Sequence, residues 1–188
     1  MLKTRDRLIE VAHRLFLLKG VENTTMSDIA DASDKGRRTL YTYFKSKGDI
    51  FDAVIRREGE RYISSLEEIR DSSDCSAEKL QRYIDTVFDT LGRMEKHHNS
   101  FINWLNNNFR ATQKRGIITT LNQRSAIILN SIITEGIKRG EFDPEVARSL
   151  VSILPTLVKA VYMNPDKEER FKDELARFIL TVIKKKTI

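Results

Sequence analysis

Between Lys35 and Lys47 the sequence places five basic side chains, Lys35, Arg37, Arg38, Lys45 and Lys47, and no acidic one, giving +5 over 13 residues. Cations at that density neutralise phosphates and release the counterions condensed on a polyanion. Arg also presents two donors in one plane, which match the two acceptors on a guanine edge, and Thr can touch a thymine methyl. Arg37, Arg38 and Thr39 open a short helical segment and are candidates for base contact. Tyr41 and Tyr43 carry hydroxyls that can donate to a phosphate from a stiff aromatic arm, and Lys47, at the start of the next helix, adds charge to the same task. Leu40 and Phe44, four residues apart, form the packing side of the segment. The same run also reads as a solvated basic surface, with the two tyrosines as half-buried aromatics. The surrounding elements have to separate the two readings.

Those elements have the right form. Leu8, Ala12, Leu15 and Phe16 are spaced by three and four, predicting a first helix that ends near Lys19, with Gly20 free to turn left-handed. Thr25 to Asp28 has capping-box spacing and starts a short second helix, which carries Ile29 and Ala30 inward and ends near Ser33 and Asp34. Gly36 is expected to take the positive φ of the turn. A third helix then runs from Arg37 to Phe44. Ser46 to Asp49 repeats the box and opens a long fourth helix with Phe51, Val54, Ile55, Tyr62, Leu66 and Ile69 on its apolar stripe. Two short helices joined by a tight turn, behind a packing helix, describe a helix-turn-helix whose second member enters the major groove.

Composition supports an all-α chain. Its 188 residues make one compact unit or two small ones sharing a helix, and 40% hydrophobic with 32% charged residues suffices for a core and a solvated surface. Eight Gly and three Pro, 11 of 188, leave few turns. The lone Cys75 excludes an internal disulfide and is expected to be an ordinary exposed thiol in a reducing compartment. No apolar run approaches a membrane span, and the charged start (Lys3, Arg5, Asp6) lacks a targeting segment, so a cytoplasmic protein with no membrane partner is expected.

The remainder is helical by period. Asp71 to Ser76 reads as a connector, so the expected division is residues 1–46 for DNA binding, 47–70 for a connecting helix and 71–188 for a larger helical domain. Leu80, Ile84, Val87, Phe88 and Leu91 share one face, and Phe101, Trp104, Leu105 and Phe109 another. A long helix through Ile118, Ile128, Ile132 and Ile137 ends at Gly140. Asp143 caps the next, with Pro144 at its first position and a local kink expected at Pro155. That helix, Glu145 to Tyr162, is apolar on more than one face, so it is either deeply buried or covered by a second subunit. Asn164 and Pro165 end it. A last helix carries Phe171, Leu175, Phe178, Ile179, Val182 and Ile183.

Residues 8 to 51 resemble the N-terminal domain of the TetR family of transcriptional regulators. Ala12, Leu15, Phe16, Gly20, Thr24, Thr25, Met26, Ile29, Ala30, Thr39, Leu40, Tyr41, Tyr43, Phe44, Ser46, Lys47 and Ile50 stand where that pattern has them. Departures lie in the turn, where Ser33, Asp34, Lys35 and Gly36 replace a common Ala-Gly-Val-Ser, and at Arg38, which replaces a frequent Gly. The resemblance implies an N-terminal three-helix helix-turn-helix DNA-binding domain followed by a helical-bundle ligand-binding and dimerisation domain. It makes Thr25, Arg37, Arg38, Thr39, Tyr41, Tyr43 and Lys47 the candidate DNA contacts. It implies a homodimer, built mainly from the last two helices of each subunit, on a palindromic double-stranded operator, and a small-molecule effector of unknown identity. Phe88, His98, Phe101, Trp104 and Tyr162 are its candidate ligand-binding residues, beside His97, Asn103 and Asn107, although aromatics at helical spacing also read as plain core.

An enzyme is not expected, since no Gly-rich phosphate loop, G-x-S-x-G elbow or H-E-x-x-H is present. Adjacent His97 and His98 point about 100° apart on a helix, so neither a metal site nor any cofactor is expected. The expected function is a repressor released from its operator by the effector. A DNA-binding dimer answering to a protein partner, or activating without a metabolite, is the alternative, and an enzyme the remote one.

Overall fold

The computed structural model describes residues 4–96, 112–162 and 170–184. Over these the chain is all-α: α1 Thr4–Lys19, α2 Met26–Ala32, α3 Arg37–Tyr43, α4 Lys47–Asp71, α5 Ser76–Lys96, α6 Thr112–Lys138, α7 Pro144–Tyr162 and α8 Arg170–Ile183. No strand occurs among the described residues, only an isolated antiparallel bridge between Phe142 and Lys184. No described helix is long and apolar enough to cross a membrane.

Two compact units emerge, Met1–Arg61 with Arg93–Thr119, and Tyr62–Gly92 with Thr120–Ile188. In the first, α1 turns Leu8, Val11, Ala12 and Phe16 inward at helical spacing, and α2, α3 and α4 supply Ile29, Leu40 and Phe51, all buried. The Phe16 and Phe51 rings meet with centroids 5.9 Å apart at 57°, the tilted arrangement that aromatic quadrupoles favour. His13 Nδ1 lies 3.3 Å from Glu58 Oε1, a polar tie between α1 and α4 beside this core.

α2 stops because its last carbonyls are satisfied by a turn. Lys35 N donates to Ala30 O at 3.2 Å and Asp34 N to Asp31 O at 3.3 Å, the two bonds of a Schellman motif. That motif demands a left-handed residue at the position Asp34 occupies, and Asp34 has φ 54°. Gly36, expected to hold the positive φ, instead has φ −60° as the N-cap of α3. The expectation failed because position within the terminator, not residue type, selects the left-handed site, and Asp tolerates it better than most residues.

The second unit is built around Leu66, Leu80, Ile84, Leu129, Ile132 and Phe142, with Leu154, Val158, Ala176 and Ile179 closing the core. Polar ties thread it. Tyr62 and Tyr83 hydroxyls lie 3.0 and 2.7 Å from Ser125 Oγ, and the nearly buried Lys79 ammonium donates to Glu135 at 2.9 Å. Burial raises the pKa of both tyrosines, partly offset by the Ser125 hydrogen bond, so they remain protonated. α6 ends on a second Schellman motif, Glu141 N to Gly136 O at 2.9 Å and Gly140 N to Ile137 O at 3.1 Å, here with Gly140 at φ 72°. Asp143 Oδ1 accepts from the amides of Glu145 and Val146 at 3.0 and 3.1 Å, and Pro144 occupies the first helical position. α7 continues through Pro155.

Candidate nucleic-acid interface

Local sequence fixes the second helix at its start. The Thr25 hydroxyl accepts from Asp28 N at 3.1 Å and Thr25 N donates to Asp28 Oδ2 at 2.8 Å, which completes the capping box. The hydroxyl proton is also committed to Asp28 Oδ2, at 2.8 Å. The Thr25 hydroxyl is therefore left with one lone pair and no proton for an outside partner. The Thr25 amide and hydroxyl, with Lys19 3.4 Å away, hold the Asp28 carboxyl below the usual carboxylate range. Behind it Thr24, fully buried, donates to Gly20 O at 2.7 Å and closes the loop that follows α1.

α3 has two distinct sides. Leu40 and Phe44 are buried, so the residues on the opposite side of the helix, Arg38 and Thr42 four apart, mark the centre of the outward stripe. Arg37 and Arg38 are exposed and Thr39 half-buried beside them. Tyr41 and Tyr43 are 52% and 44% exposed, half-buried as the alternative reading expected, with the rest of each side chain in water. A large aromatic left in water on a basic helix has its hydroxyl free to meet an oxygen acceptor from outside. Thr42, which local spacing does not single out, lies exposed in the outward stripe with its hydroxyl donating to Arg38 O at 2.9 Å.

The flanks are braced by charge. Lys47 Nζ donates to Val21 O at 2.7 Å and Glu22 O at 3.0 Å, pinning the start of α4 to the loop between α1 and α2. A cation is disfavoured at the positive end of a helix, and these two carbonyls offset that while leaving one of three ammonium donors for an external phosphate. Ser46 and Asp49 form the second capping box, with Asp49 N to Ser46 Oγ at 3.2 Å and Ser46 N to Asp49 Oδ2 at 3.1 Å. Arg5 stacks 5.3 Å above the Phe44 ring, and Arg7 pairs with Asp34 at 2.9 Å, so α1 brings two further arginines to the helix pair. Neither was evident from local spacing.

The candidate ligand-binding set is only partly placed. Phe88 is half-buried against the core of the second unit. His98, Phe101 and Trp104, with His97, Asn103 and Asn107, lie outside the described residues, as does the Tyr162 side chain. No metal-binding cluster of His, Cys, Asp and Glu is found among the described residues, and Cys75 is a free, exposed thiol. On the same unit, α7 and α8 flank an apolar groove of roughly 390 Å³ lined by Val146, Leu150, Ile153, Leu157, Phe178 and Val182, with the Phe178 ring 64% exposed.

Residues 8–54 match the family of bacterial regulatory proteins named tetR. An HTH-type transcriptional regulator of Staphylococcus aureus (strain USA300) is 37% identical over 83 residues, 44% of this chain and 45% of that protein. The chain thus matches less than half the length of this curated relative. Among solved structures, a transcriptional regulator from Cytophaga hutchinsonii ATCC 33406 superposes with a TM-score of 0.76 at 23% identity, over 95% of this chain and 97% of its own. One from Saccharomonospora viridis, in complex with choline, gives 0.76 at 21% identity over 97% and 98%. Likeness at that identity gives the fold, and the fold extends over nearly the whole chain.

Proposed function

We propose that the chain, whose residues 8–54 match the tetR family of bacterial regulatory proteins, is a member of that family throughout: a DNA-binding transcriptional regulator, not an enzyme, that acts in the cytoplasm as a repressor. The observation that carries this reading is the two-sided α3: Leu40 and Phe44 anchor it while Arg37, Arg38, Tyr41 and Tyr43 stand in solvent beside a capped supporting helix. Groove insertion requires that combination, because a reading helix must be held rigidly on one side and offer donors on the other. Residues 1–46 read DNA, 47–70 connect, and 71–188 bind an effector and dimerise. In this reading Arg37, Arg38 and Thr39 contact bases, Tyr41, Tyr43 and Lys47 set register on phosphates, and Thr25 is a further contact at the start of α2.

A homodimer is supported by the apolar α7–α8 groove, because a face with Phe178, Ile153 and Val182 exposed is costly in water and suits a second copy. Two-fold symmetry then sets a palindromic operator. The Saccharomonospora viridis neighbour holds choline, which supports a small-molecule site in this fold, with Phe88, His98, Phe101, Trp104 and Tyr162 as the candidate lining. Such an effector releases DNA only through a difference in affinity for the DNA-bound and free conformers.

The test is selection of duplexes from a randomised double-stranded library by the full chain, followed by anisotropy titrations. A palindromic consensus is expected. Arg38→Ala should flatten base preference, whereas Lys47→Ala should weaken all duplexes alike and reduce the salt slope by about 1. Failure to retain any duplex at low ionic strength would remove the reading altogether.

A further inference from the structure

We propose that Ser27 and Asp31, both on α2, form a positioning relay that holds Arg37 ready for base recognition. This rests on α3 being the groove-reading helix. Arg37 Nη2 donates to Ser27 Oγ at 2.6 Å, and Ser27 Oγ in turn donates to Asp31 Oδ2 at 3.3 Å. The donor accounting closes: the single hydroxyl proton goes to the carboxylate, and an oxygen lone pair receives the guanidinium N–H. Ser27 and Asp31 are four apart and therefore share one side of α2.

The relay stands on an immobile base. α2 is capped by Thr25 and Asp28 and anchored by the fully buried Ile29, so a hydroxyl at Ser27 is fixed relative to α3. A free Arg side chain samples many rotamers, and those must be surrendered on binding. The bond to Ser27 restricts them before DNA arrives. It uses one of five guanidinium donors, which leaves four, enough for the paired contact to guanine. The Asp31 charge polarises the Ser27 hydroxyl, which makes it a better acceptor for the guanidinium. Because all three side chains lie at the surface, the chain of bonds adds little to folding stability, and its effect falls on recognition.

The experiment uses the full protein, the duplex it selects from a randomised library, single-base variants of that duplex, and a scrambled duplex. Arg37→Ala should lower discrimination at one base pair by about tenfold. Ser27→Ala should lower discrimination at that same base pair by roughly 3–10-fold, with scrambled-duplex affinity within about twofold of wild type. Ser27→Thr, which keeps the hydroxyl, should retain discrimination, and Asp31→Asn should fall between. Ser27→Ala that discriminates like wild type while Arg37→Ala does not would overturn the relay, as would equal weakening on selected and scrambled duplexes. Arg37→Ala without any loss of discrimination also overturns it. A wild-type chain that selects no duplex sinks the regulator reading itself, an outcome distinct from these.

Discussion

Thr25 and Asp28 show how much a single pair of residues carries, and how readable it is. Their spacing of three announces the capping box, and the structure realises both of its reciprocal bonds. The Asp28 carboxyl is held below its ordinary pKa by the Thr25 amide first and its hydroxyl second. A carboxyl depressed in the folded state stabilises above its unfolded pKa, and that contribution is lost as pH falls through the folded value. The expected outcome is that Thr25→Ala unfolds at lower denaturant than wild type at neutral pH, and that the gap narrows without closing as the pH drops below about 4, because the hydroxyl's bond to the ionised carboxylate is lost while its bond from the Asp28 amide remains. A difference that persists undiminished at pH 2 would contradict the assignment. The less readable residues are those whose partners lie far along the chain. Lys47 reaches back to Val21 and Glu22, Arg7 to Asp34, and Arg37 to Ser27, over 26, 25, 27 and 10 residues. No local pattern encodes such pairings, because they exist only after tertiary folding brings the helices together.

At the level of elements, the helices were legible wherever two local signals coincided, an apolar period with a cap. Asp143 with Pro144, and Gly140 at the end of α6, are examples. The turn before α3 was misread because Gly36 attracted the left-handed assignment that the Schellman bonds give to Asp34. Phe178 and Val182, counted on the apolar stripe of the last helix, are in fact exposed, while Ala176, Ile179 and Ile183 are buried. Periodicity finds an apolar side but not what covers it. α6 provides a test of how context reverses one substitution. A Cβ at Gly136 would sit 2.2 Å from the buried Phe142 ring, whereas one at Gly116 meets nothing within 4 Å. Gly136→Ala should therefore destabilise by about 1–3 kcal/mol, and Gly116→Ala should stabilise by roughly 0.5–1 kcal/mol through helix propensity. Chemical denaturation of both variants measures the pair, and equal signs would show that the close approach of α6 to Phe142 is wrong.

For the whole molecule, the decisive surface is the one formed by α7 and α8. The Phe178 ring is 64% exposed on an apolar groove, so a charge placed there should disrupt the proposed homodimer while leaving the core intact. Phe178→Glu is expected to sediment as a monomer with unchanged helical content. Its affinity for the selected palindromic duplex should fall by about 10²-fold, since the two half-sites lose their linkage. A dimeric Phe178→Glu, or a monomeric wild type, would overturn the proposed α7–α8 dimer surface. α3 separates two tasks that many binding proteins mix on one surface. Leu40 and Phe44 secure it to its neighbours, while Arg38 and Thr42 occupy the opposite stripe and take no part in the core. Under the proposed function, changes confined to the outer stripe would consequently alter which duplex is preferred while the packing that seats the helix stays as it is.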